Sequence, residues 1–178
     1  MSKVLVIDTS TSRTSVAIIE ADSVLFSGFR DGATAHGPSL PALVQEALAV
    51  SDVDEVVVGM GPGPFTGLRV GIAFAQSFAL ARDIPVRGVC SLDAIAAQVD
   101  EKDFIITVDA RRKEVYWARY TDGVRVGEPA VNFPNDVSEA PIHADLFPDM
   151  QALVKLLGNI TEPIYLRRPD AVATADRP

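Results

Sequence analysis

The chain has 178 residues, 48% hydrophobic and 22% charged, enough to build one good core or two small lobes. With 24 Asp and Glu against 16 Lys and Arg its formal net charge is −8. Taken as a whole it repels a phosphate backbone, so any RNA involved is expected to be gripped by something else. The single cysteine, Cys90, excludes a disulfide framework or cysteine metal site within one chain, and its place after Val86 and Val89 predicts a buried core thiol.

The run Val4 to Ile7, ending at Asp8, is too short for a signal-peptide core or a membrane span and predicts a buried strand, with a cytoplasmic address expected. Segments 15–19 and 24–29, separated by Glu20-Ala21-Asp22-Ser23, predict two more strands in a meander. Leu40, Leu43, Val44, Ala47 and Leu48 recur at helical spacing and predict an amphipathic helix over 38–50. Val56 to Val58 predicts a strand that runs into Gly61-Pro-Gly-Pro-Phe-Thr-Gly67, followed by a helix over 65–82. A strand over 86–89 and a helix over 92–99 complete a β-β-β-α-β-α-β-α order, which suits a ribonuclease-H-like lobe on a mixed sheet.

Strands over 104–108, 115–120 and 124–126 then repeat the opening meander, again after a carboxylate, Asp109. Beyond Val131 the chain is rich in Pro, Asp and Asn, with one helix expected over 150–157 and a tail through Ile164 to Arg167. The expected organisation is a first lobe over 1–100 and a shortened second lobe with a C-terminal tail over 101–178.

The glycine-rich segment could aim backbone N–H groups at a phosphate. It lacks the Lys of a Walker loop, and Thr66 stands where a dinucleotide motif needs glycine. On spacing alone, a tight turn with close backbone packing is the favoured reading. Asp8, Thr9, Gly61, Gly63 and Asp109 are the candidate phosphate or nucleotide contacts, with strand-ending turns as the alternative. His36 and His143 lie in different regions and Leu40 stands one turn after His36, so no helical histidine pair is available for a metal. No G-x-S-x-G elbow is present, and Ser39 and Ser91 have generic surroundings. In the second predicted helix Gly67, Gly71 and Ala75 form a strip of small residues. Arg69 and Gln76 alone interrupt its apolar run strongly, so both faces are expected to be covered, one by the sheet and one by the second lobe or another chain.

The run Gly61-Pro-Gly-Pro-Phe-Thr-Gly-Leu-Arg-Val-Gly71 resembles the G-P-G-S-F-T-G-[LV]-R signature of the TsaB (YeaZ-like) family, with Pro64 in place of serine. Ile7-Asp8-Thr9-Ser10, His36 before an apolar helix, Asp109-Ala110-Arg111 leading to Glu114-Val115-Tyr116-Trp117-Ala118, and Pro163-Ile164-Tyr165-Leu166-Arg167 match in the same order. The likeness covers residues 3–120 densely and 163–171 again.

The resemblance implies an actin-like, sugar-kinase-like (ASKHA) α/β fold of two ribonuclease-H-like lobes, here with the second shortened. It implies a non-catalytic subunit that pairs with a TsaD-type catalytic subunit and, through the complex, with a TsaE-type ATPase. The reaction is transfer of threonylcarbamoyl to adenosine 37 of tRNAs reading A-starting codons. A homodimer is expected when the chain is alone, with tRNA bound indirectly and no membrane contact. No cofactor or metal is expected for this chain, since ATP and Mg are used by the complex. The helices of the first lobe carry the family's interface, which places Leu40, Leu43, Val44, Leu68, Gly71, Ile72 and Ala75 against the partner. Two other readings stay open: a small nucleotide-dependent phosphotransferase using Asp8, Asp109 and the glycine loop, and a self-associating module of the same fold.

Overall fold

The computed structural model describes residues 2–32, 34–138 and 140–167; the rest of the expected tail, 168–178, lies outside the described residues. Element order is β1 (Lys3–Asp8), β2 (Arg13–Glu20), β3 (Ser23–Asp31), α1 (His36–Val50), β4 (Glu55–Gly59), α2 (Phe65–Arg82), β5 (Val86–Val89) and α3 (Ser91–Ala96). There follow β6 (Asp103–Asp109), β7 (Val115–Thr121), β8 (Val124–Asn132), a single 3-10 turn (Pro134–Asp136), β9 (Ile142–His143) and α4 (Met150–Lys155).

The first sheet has the order β3-β2-β1-β4-β5. β1 pairs antiparallel with β2 and parallel with β4, and β4 pairs parallel with β5. This is the ribonuclease-H-like lobe that the element order predicts. β1, buried on both faces, needs no alternation, and its residues from Val4 to Asp8 are buried without a break. One face of the sheet carries α1 and α2, with Leu5, Ile7, Val16 and Ile18 against Leu40, Leu43, Leu68 and Ile72. The second sheet, β8-β7-β6-β9, repeats the antiparallel meander and adds β9 parallel to β6, a short strand that the sequence reading omits.

Two expectations are corrected here. First, residues after 143 do not all belong to the second lobe. α4 covers the other face of the first sheet, Leu153 packing with Val4, Val6, Ala17 and Val57. Ile160 N–H then donates to Gly88 O at 2.8 Å, and Gly88 N–H donates to Asn159 Oδ1 at 3.1 Å, so the segment extends along β5. The apolar side chains of α4 explain the return, since the β2-β1-β4 face would otherwise lie open.

Second, the seven residues expected to face a partner lie in the chain's own core. Leu40, Leu43, Leu68 and Ala75 are 0% exposed, Val44 3% and Ile72 5%, and Gly71 is buried against Thr9. The most apolar stripe of each helix pairs with the sheet, and the expectation assigned that stripe to the wrong side. What is exposed on α2 is Thr66, Arg69, Ala73, Gln76, Ser77 and the end from Leu80 to Arg82, with Val70, Phe74 and Phe78 half-buried at the edge of the core. Among the described residues no helix is long and apolar enough to cross a membrane.

Candidate functional site

The carboxyl ends of β1, β4 and β5 come together, which brings the turn after Asp8, the glycine loop and the start of α3 into one place. Asp8 is 1% exposed and both its oxygens are occupied: Oδ1 accepts from Ser10 N–H (2.9 Å) and Ser10 Oγ–H (2.7 Å), Oδ2 from Ser91 Oγ–H (2.6 Å). Burial pushes its pKa up, against the lowering effect of those hydrogen bonds. Thr9 is equally buried, its Oγ–H donating to Gly67 O at 2.7 Å.

The glycine loop is a packed turn. Gly61 N–H is taken by Ser91 Oγ at 3.3 Å and Gly61 O accepts from Ser91 N–H at 2.9 Å. A Cβ on Gly63 would stand 2.4 Å from Ser10 O, so glycine is needed there for backbone approach to its own chain. Asp109, in contrast, is exposed, accepts from Arg111 N–H at 2.8 Å and ion-pairs with Arg111 at 3.9 Å. Asp8 is sealed in the first lobe and Asp109 ends a strand of the second with its side chain in solvent. The two do not form the matched pair of site carboxylates that the phosphotransferase reading requires. Of the five candidate nucleotide contacts, Gly63 lines the inter-lobe cleft and Asp8, Thr9, Gly61 and Asp109 do not.

That cleft encloses about 900 Å³. Its first wall is the start of α1, the glycine loop and the first turn of α2, including His36, Phe65 and Gly67. His36 is 4% exposed, its Nδ1 2.8 Å from Thr14 Oγ1, and burial pulls its pKa down against the opposing pull of the Asp8 charge and the Thr11 carbonyl. The second wall is the β6–β7 loop with Ala110, Arg111 and Arg112, backed by Tyr116.

A C-terminal strap joins the walls. Ile164 N–H donates to Met60 O at 2.8 Å, the Tyr165 ring lies 4.9 Å from that of Phe65, and Arg167 donates to Ala110 O at 2.7 Å and pairs with Glu114. Sequence reasoning missed Tyr165 and Arg167 as site residues. Their signal was available: the Pro163 to Arg167 motif keeps an aromatic and a cation in a stretch otherwise read as loop. Among the described residues no group of three or more His, Cys, Asp or Glu comes together as a metal site. His143 stands on β9, its Nε2 3.0 Å from Glu101 Oε1.

The family model described as "TsaD: tRNA N6-adenosine threonylcarbamoyltransferase" matches residues 31–141. The chain is 44% identical over 200 residues to an uncharacterized protein of Mycobacterium tuberculosis, with 96% of this chain and 94% of that protein covered. It is 35% identical over 127 residues to the tRNA threonylcarbamoyladenosine biosynthesis protein TsaB of Escherichia coli, where the match covers 66% of this chain and 54% of the relative, about half its length. A crystal structure from Pseudomonas aeruginosa, described as similar to peptidase YeaZ, has a TM-score of 0.79 at 27% identity and covers 94% of this chain and 100% of that one. Sequence, family model and fold agree, and the chain belongs to the TsaD family, among its TsaB (YeaZ-like) members.

Proposed function

We propose that this chain is a non-catalytic subunit that binds a TsaD-type catalytic subunit and supports threonylcarbamoyl transfer to adenosine 37 of tRNAs reading A-starting codons. The observation that carries the reading is the outward face of α2. Phe74 and Phe78 stack along its edge with ring centroids 6.0 Å apart, half-buried with Val70 against the core, while an 84% exposed Leu80 faces solvent with Arg69, Ala73, Gln76 and Ser77. No Asp or Glu occurs between Phe65 and Arg82. Half-buried aromatics and an exposed leucine on a helix without acid groups, in a chain of net charge −8, suit a protein interface better than bulk water.

In this reading a TsaE-type ATPase joins through the complex, and ATP and Mg serve those two subunits. When the chain is alone, the same face closes on a second copy.

Light scattering after size-exclusion chromatography tests the proposal with the catalytic subunit of the same organism. A one-to-one complex is expected from the wild-type chain, and none from a folded Phe74→Glu/Phe78→Glu variant. Threonylcarbamoyl transfer to tRNA by the chain without any partner would overturn it.

A further inference from the structure

The lining of the inter-lobe cleft includes Arg111, Arg112 and Arg167 and no Asp or Glu, with Asp109 and Glu114 pairing Arg111 and Arg167 from just outside it, although acidic residues outnumber basic ones by 24 to 16 in the sequence. Arg111, Arg112 and Lys113 are exposed and hold three successive left-handed backbone positions, φ 63°, 56° and 64°. Residues with a Cβ adopt that conformation at a cost, and it persists where neighbouring contacts impose it. Ala110 N–H donates to Glu114 O at 2.9 Å, Asp109 Oδ1 accepts from Arg111 N–H, and Arg167 clamps the carbonyls of Ala110 and Arg111. Arg167 therefore positions the loop, Arg111 lines the cleft beside its partner Asp109, and exposed Lys113 follows two residues on in the same loop.

Across from the loop stand two ring faces. Tyr165 is 39% exposed beside Phe65, and the Arg69 guanidinium lies 4.9 Å from the centroid of the Phe65 ring. Cations along a rim with aromatic faces beside them are the parts of a groove that tracks a single strand and stacks its bases. A polyphosphate cradle would need converging loop amides, and in the glycine loop Gly61 N–H is held by Ser91 while Gly63 is packed on Ser10.

We infer that the inter-lobe cleft binds an unpaired segment of RNA, with Arg111 and Lys113 against phosphates and Tyr165 and Phe65 against a base. The inference rests on the reading of the chain as part of a tRNA-modifying assembly, and it departs from the expectation that RNA is gripped by other chains alone.

The test is fluorescence anisotropy of the full chain with a labelled, unstructured RNA of about ten nucleotides, within the site sizes of single-strand binders. Saturable, salt-sensitive binding is expected. Arg111→Glu/Lys113→Glu should reduce the slope of log affinity against log salt by about 1.4, the value for two phosphate contacts on a single strand. Tyr165→Leu should weaken binding about fivefold or more and Tyr165→Phe should retain it. Reversal of charges elsewhere, Arg82→Glu/Lys155→Glu, should change nothing. No binding, equal loss in the distant variant, or displacement of the RNA by equimolar ATP would overturn the inference.

Should a cleft variant fail to fold, photo-crosslinking of thiouridine RNA to the wild-type chain decides instead. Adducts on the peptides holding Tyr116 or Tyr165 support the site, and adducts confined to other peptides overturn it. Complex formation with the catalytic subunit is read separately. A complex without RNA contact sinks this inference alone, and RNA contact without a complex sinks the subunit assignment alone.

Discussion

Thr9 and Gly71 face each other across the seam between the first strand's turn and α2: a Cβ added to Gly71 would stand 2.3 Å from Thr9 Oγ1. One turn earlier the same hydroxyl donates to Gly67 O. The small-residue strip of α2 therefore lets the helix approach β1. Gly71→Ala is expected to destabilise the fold by about 1–3 kcal/mol, because Thr9 is anchored and cannot rotate away freely. Thr9→Ala, which removes the clashing atoms, should recover part of that loss. Urea denaturation of the four members of the cycle measures it, and strict additivity would contradict the contact.

The strip also shows where the sequence was legible and where it was not. The first-lobe strands, both long helices and the meander after Asp109 follow from runs of Val and Ile, helical spacing and turn residues. Helical spacing identifies an apolar stripe but not what covers it. The family resemblance places Leu40 and Leu68 against a partner, whereas the chain's own sheet takes them. β9, only Ile142–His143, is too short for any periodicity to register. α4 was visible as a helix, yet its docking on the first sheet is a long-range choice that local pattern does not encode. The left-handed run at Arg111, Arg112 and Lys113 carries no glycine to announce it.

His36 makes stability depend on pH with a definite sign. Burial lowers its pKa below the ordinary 6.5, so the unfolded chain binds a proton more readily than the folded one. The contribution of neutral His36 is complete above about 6.5 and is lost as pH falls through that value. Denaturation midpoints measured between pH 7.5 and 5 should decline with at most about 1.4 kcal/mol per pH unit from this group, and His36→Gln should flatten the decline. Asp8 acts in the opposite sense. Its raised pKa gives a contribution complete below the ordinary 3.8 and lost as pH rises through the folded value.

Cys90 is 2% exposed and burial pushes its thiol up to about 12. Alkylation by iodoacetamide at pH 8 is therefore expected to be negligible in the native chain and rapid in denaturant. Fast labelling of the folded protein would mean that the core between α3 and the second sheet opens readily.

Asp93 on α3 holds the second lobe through Tyr120, whose hydroxyl donates at 2.8 Å, and through Arg125 at 2.9 and 3.1 Å. Arg125→Met should cost about 1–2 kcal/mol, and Tyr120→Phe about 1 kcal/mol. Hydrogen exchange should rise in β7 and β8 more than in β1 and β4 for both variants. A uniform increase over the two sheets would show that the contact supports the whole fold and not the lobe junction.

Gly88 receives both of its partners from far down the chain: the Asn159 side chain, 71 positions later, and the Ile160 N–H. The second lobe is thus an insertion, bracketed by β5 and the strand-like segment that closes it, instead of a module appended to a finished first lobe. A chain emerging from the ribosome exposes the β5 edge until Ile160 is free, and an unpaired edge is where one chain recruits another. Asn159 and Ile160 act as the closing stitch of the first lobe, and any shortened product ending before Asn159 would carry that edge open for its whole lifetime.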